Sequence, residues 1–148
     1  MQYLDESALN GLDPQAFRRR RPYPWWNLAG VLREEAFQQL RAEMPPLTLF
    51  QEVFGKEPRH GQQSHDRYAL EYEPGIELPA SWQQFIDELQ GPAYRTWLAR
   101  AMGSDGFELR FHWHYTPPGA SVSPHCDAKR KLGSHIFYFN TAEEWDPA

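Results

Sequence analysis

Nine residues late in the chain alternate without a break. In FELRFHWHY, positions 107–115, Phe107, Leu109, Phe111, Trp113 and Tyr115 share one parity, while Glu108, Arg110, His112 and His114 fill the other. Successive side chains of a strand point to opposite faces, so this stretch predicts a strand with one buried and one polar side. Such a strand needs an apolar partner layer, and the residues before it predict helices. Trp82, Phe85, Ile86 and Leu89 recur at helical spacing up to Gly91. Tyr94, Trp97, Leu98 and Ala101 stripe a second helix that Pro92 opens and Gly103 stops. Leu32, Ala36, Phe37, Leu40 and Met44 stripe a third, which Asn27 is placed to cap and Pro45-Pro46 ends.

The remaining segments fit the same scheme. Residues 1–26 are irregular or partly helical, and TLFQEVFG suggests a short helix. Tyr68, Leu70 and Tyr72 alternate with Ala69, Glu71 and Glu73, which predicts a strand before the Pro74-Gly75 turn. After Pro117-Pro118-Gly119 come an extended piece, Val122 to Asp127, a basic loop, AKRKLG, and a strand, SHIFYFN, at 134–140. The expectation is an α+β chain of 148 residues with helices first and antiparallel strands last. Helical support occupies about 1–104 and the first core strands about 105–148. Because three strands make a thin sheet with open edges, the chain is expected to be the front portion of one longer domain.

Composition bounds the function. A hydrophobic fraction of 41%, with 15% aromatic residues, supports a packed core and argues against disorder. The formal charge of −5 argues against a general nucleic-acid partner. The local exception, Arg18 to Arg21 ahead of PYPWWN, reads as a solvated or salt-paired flank, or as a grip on an anionic substrate. No apolar run reaches the roughly 20 residues of a membrane helix, and the first ten residues do not form a secretory signal. The single cysteine, Cys126, excludes an internal disulfide and suggests a reducing cytoplasm.

The candidate chemistry lies in YTPPGASVSPHCDAKRKLGSHIFYFN, residues 115–140. On a strand, His125 and Asp127 share a face and Cys126 points away, so an imidazole and a carboxylate can converge on one metal ion. That donor pair suits Fe(II), Mn(II) or Zn(II). Tyr115 and Tyr138 flank the pair, and a phenol donates readily to a bound carboxylate. Taken alone, each is also an ordinary core aromatic. His112 and His114 share a face and form a rival metal pair without an evident third ligand. His60, His65 and Asp66 sit in a Gly- and Gln-rich loop that could line a cleft. Phosphate-binding, dinucleotide-binding and nucleophile-elbow motifs are absent from the sequence.

Tyr115, Pro117-Pro118-Gly119, His125-Cys126-Asp127, Tyr138-Phe139-Asn140 and Glu144-Trp145 together resemble the iron(II)- and 2-oxoglutarate-dependent dioxygenases, in their prolyl-hydroxylase-like branch. The resemblance covers about the last quarter of the chain. It implies a double-stranded β-helix, or jelly-roll, backed by helices and here incomplete. It implies that His125 and Asp127 are the first two iron ligands. Tyr138, and with it Tyr115, would contact 2-oxoglutarate, O2 would be the oxidant, and Asn140 would shape the turn after its strand. The family's later histidine, and the arginine or lysine that pairs with the distal carboxylate, have no counterpart after Trp145. The expected enzyme hydroxylates an unidentified small molecule or peptidyl side chain, and the 148 residues alone are expected to be inactive. A non-catalytic interaction module on the same scaffold and a cupin-like metalloenzyme without 2-oxoglutarate are the alternatives. Oligomeric state is left open.

Overall fold

The computed structural model describes residues 1–55, 65–120, 122, 129–141 and 143–144. Five helices and a small antiparallel sheet make up its regular structure. The helices are α1 (Glu6–Asn10), α2 (Pro14–Arg19), α3 (Glu34–Ala42), α4 (Ala80–Gln90) and α5 (Pro92–Met102). The strands are β1 (Gln51–Val53), β2 (Arg67–Glu71) and β3 (His112–Tyr115), in the order β1-β2-β3. The mixed α and β composition is as expected, but the order is not helices first and strands last, because β1 and β2 precede α4 and α5 in the chain.

Local chemistry accounts for the helix ends. Asp5 and Asp13 cap α1 and α2, accepting from Ala8 N and from Gln15 and Ala16 N. Pro14 and Pro92 occupy the first turns of α2 and α5, where a missing N–H costs nothing. Gly103 ends α5 in the left-handed region at φ 72°.

The core is aromatic and sits between α4 and the sheet. Trp82 and Phe85 are buried on α4. The Trp82 ring meets Trp113 at 5.5 Å and Phe139 at 5.0 Å, and its Nε1–H donates to Leu40 O at 3.0 Å. The indole N–H is thereby satisfied, as burial requires. Leu70 pairs with Trp113 across β2 and β3, and both are buried. The opposite sheet face carries Ala69 beside His114 and Glu71 beside His112.

The amino terminus is tied in by one carboxylate. Glu88, near the end of α4, accepts from the backbone N–H groups of Gln2 at 2.5 Å, Tyr3 at 3.1 Å and Leu4 at 2.8 Å. Tyr3 and Leu4 are fully buried, and Leu4 bridges Leu32.

That bridge corrects one expectation. The third helix begins after Arg33, not after Asn27, because Leu32 pairs with Leu4 and Gly30 turns the chain at φ 71°. A second correction concerns TLFQEVFG, residues 48–55: a 3-10 turn, Leu47–Leu49, ends within its first two residues, and β1 follows rather than a helix. Gln51, Glu52 and Val53 find partners in Ala69, Tyr68 and Arg67, and cross-strand pairing outweighs the weak local preference. The predicted strand at 107–115 pairs over His112–Tyr115 only, with one further bond from Tyr72 N to Phe111 O. The alternation of more covered and exposed side chains nonetheless runs the full length, although only Trp113 is buried. Residues 134–140 alternate in the same way, with His135, Phe137 and Phe139 turned in and Ile136 and Tyr138 turned out, but form no ladder with a described strand.

Candidate functional site

His125 and Asp127, with Cys126 between them, lie outside the described residues, as do His60 and Trp145. The structure does define what holds the two flanks of that segment. On the upstream side, Tyr115 ends β3. Its ring stacks on Phe50 at 4.4 Å, and its hydroxyl donates to Pro45 O at 3.0 Å. Burial raises its pKa, so the phenol keeps its proton. Pro117 to Ala120 then form a turn closed by Ala120 N to Pro117 O at 3.1 Å, with Gly119 at φ 81°.

Downstream, three inward side chains fasten residues 135–139 to the helices. The His135 ring stacks against Tyr94 and Trp97, and its Nδ1 lies 2.6 Å from the Tyr94 hydroxyl. Phe137 packs on Phe85 with centroids 5.4 Å apart, and Phe139 stacks on Phe37 at 5.8 Å. Arg41 on α3 secures the end of the segment, donating to Phe139 O at 3.2 Å and pairing with Glu144 at 2.5 Å. Glu144 also accepts from Thr141 N at 2.8 Å, and this bond, ahead of the Arg41 charge, holds its carboxyl below the usual range.

Burial sets the protonation of the Tyr94–His135 pair. Loss of water raises the Tyr94 pKa and lowers that of His135 to about 4. At neutral pH a neutral imidazole therefore faces a protonated phenol, and we assign the shared proton to Tyr94 as donor. The pairing joins residues 41 positions apart. The even-odd pattern of SHIFYFN was its one trace in the sequence, placing His135 with the two phenylalanines. Nothing local announced the Arg41 contacts.

Tyr138 shares the outward face with Ile136, and the two are 67% and 62% exposed. The two flanking tyrosines therefore differ in their surroundings: Tyr115 is packed with its donor in use, whereas Tyr138 faces away from the aromatic core.

The rival histidines cluster on the open face of the sheet. The His65 ring lies 5.9 Å from that of His114, which is 6.4 Å from that of His112. Surrounding protein atoms displace water from His114, and Arg67, His65, His112 and Lys131 add positive charge, so its pKa falls to about 4. The pKa of His112 is also lowered, chiefly by desolvation. On the same face Arg110 pairs with Glu71, a bond that holds the Glu71 carboxyl below its usual range. Among the described residues, no group of three or more His, Cys, Asp or Glu side chains is arranged to hold a metal. No described helix is long and apolar enough to cross a membrane.

No family model, curated protein or solved structure matches this chain.

Proposed function

We propose that the chain belongs to a non-haem iron(II) dioxygenase that couples oxidative decarboxylation of 2-oxoglutarate to hydroxylation of a small-molecule or peptidyl substrate. The observation that carries this reading is that the described residues on both flanks of His125 and Asp127 are held by packing and hydrogen bonds. Tyr115 stacks on Phe50 upstream, and downstream His135, Phe137 and Phe139 pack on Tyr94, Phe85 and Phe37. A metal-binding pair needs such support, because ligands pay for coordination with lost freedom unless the scaffold restrains them.

In this reading His125 supplies a neutral imidazole nitrogen and Asp127 a carboxylate oxygen, a donor set that suits Fe(II). Bound iron would supply the oxidative chemistry, and the protein would hold and orient the reactants. The two tyrosines divide their work. Tyr138, on the outward face of its segment, would donate to a carboxylate of 2-oxoglutarate. Tyr115 already donates to Pro45 O, so its role is to hold the strand end. A third metal ligand and a cationic partner for the distal carboxylate are still required, and neither is assigned to a described residue. The three-stranded antiparallel sheet is compatible with part of a jelly-roll.

The test is anaerobic Fe(II) titration of the full-length protein that this reading requires, with and without 2-oxoglutarate, followed by calorimetry and by the metal-to-ligand absorption of the ternary complex. Wild type is expected to bind one equivalent, and His125→Ala and Asp127→Ala to bind at least tenfold more weakly. Equal binding by wild type and both variants would refute the ligand assignment. One observation favours a second reading, an interaction module: Leu132, Ile136 and Tyr138 are all more than half exposed. A full-length protein that takes up neither iron nor 2-oxoglutarate would support it.

A further inference from the structure

We infer that the segment from Arg19, at the end of α2, to Trp26 binds single-stranded nucleic acid, independently of any metal chemistry. The charge distribution is the first observation. Residues 14–33 contain five arginines and no Asp or Glu, whereas the rest of the chain holds ten basic and twenty acidic residues. An acidic protein thus carries one cationic segment, which would turn that segment toward a polyanion and the remainder away from it.

The second observation is what the loop displays. Tyr23, Trp25 and Trp26 are 65%, 50% and 36% exposed, although large aromatic rings are ordinarily covered. The Arg20 guanidinium lies 4.4 Å from the centre of each indole, so a cation–π contact holds both rings in place. Arg19 and Arg21 are exposed, and neither pairs with an acidic side chain among the described residues. The salt-paired alternative for the arginine run is therefore not what the described residues show. Arg18 has a different task. It donates to Arg100 O at 2.6 Å and Ala101 O at 3.0 Å at the end of α5, which fixes the base of the loop on the helical layer.

Exposed rings beside exposed guanidinium groups match a ligand that alternates flat bases with phosphates, and single strands offer both. Base stacking tolerates any sequence because every base has a π-face. Paired bases in a duplex are already stacked and are not available to the rings. Pro22 and Pro24 limit collapse of the loop onto itself by fixing its backbone φ angles. A lipid surface fits less well, because residues 18–27 include no aliphatic side chain to enter the acyl region.

The test is fluorescence anisotropy of the full chain with labelled oligo(dT) and oligo(U) of about 15 nucleotides, across a salt series. Wild type is expected to bind in the roughly micromolar range at low salt. Trp25→Ala/Trp26→Ala is expected to weaken binding by about fivefold or more, with an unchanged circular dichroism spectrum. Arg19→Ala/Arg21→Ala should lower the slope of log affinity against log salt by about 1.4, two phosphates at about 0.7 each. The arginine variant tests the proposal even if the tryptophan variant fails to fold. No binding, binding unmoved by both variants, or equal affinity for a duplex of the same length would overturn it. So would recruitment to phosphatidylserine vesicles without affinity for the oligonucleotides.

Discussion

Acidification should loosen the segment at 134–140, and His135 is where the effect is best isolated. Its ring sits against Tyr94, Trp97 and Phe137 with Nδ1 on the Tyr94 hydroxyl, and desolvation alone lowers its pKa from 6.5 to about 4. A histidine that is harder to protonate when folded favours unfolding wherever the unfolded chain takes up the proton first. Its stabilising contribution is complete above pH 6.5 and is lost as pH falls from there toward 4. At pH 5 the linkage relation gives a loss of about 2 kcal/mol relative to pH 8, from the 2.5-unit separation. His112 and His114 are shifted in the same direction and add to the wild-type slope, so the variant must be compared with wild type at each pH. His135→Asn is the informative substitution, because its side-chain oxygen can still accept from Tyr94 while carrying no titratable group. Urea unfolding at about pH 8 and pH 5, read with a common m-value, measures the difference. Wild type should lose about 2 kcal/mol more than the variant over that interval. Equal losses would refute the reasoning. The depressed carboxyls of Glu71 and Glu144 also favour unfolding on acidification, but wild type and variant share them, so their contribution cancels in the comparison.

Two further substitutions test the helical layer. Glu88→Ala strips the acceptor from Gln2, Tyr3 and Leu4 N–H groups, two of them on buried residues, and should cost about 3 kcal/mol in chemical denaturation. A cost under about 0.5 kcal/mol would show that the amino terminus does not depend on this carboxylate. Gly103→Ala should cost about 1 kcal/mol because φ there is 72°, while its new Cβ would meet the Arg18 side chain in ordinary contact at 3.5 Å. A neutral or stabilising result in thermal melts would mean that α5 can end in another way.

The helices at 80–102 were legible because their boundaries are chemical: Gly91, Pro92 and Gly103 punctuate two apolar stripes, and the structure keeps all three positions. The start of α3 was not. Asn27 is a good cap by type, but Leu32 lies beside a distant strand-like segment at Leu4, and that pairing took the residues before Glu34 out of the helix. Around the candidate site, the sequence marked which residues of 134–140 share a face, and the structure shows which of those faces is inward. Pro45 O as the partner of Tyr115 lies 70 positions away and left no local trace.

Periodicity and punctuation by themselves determined the α+β composition, the two best helices and the parity of the two aromatic segments, because those features depend on neighbours within a turn or a pleat. Tertiary structure alone decided that His135 sits neutral against Tyr94, that Glu88 gathers the amino terminus, and that Arg20 aligns two exposed indoles. Each of those depends on which surfaces meet. Contacts between residues dozens of positions apart are set by packing of the whole chain, and no local pattern encodes them.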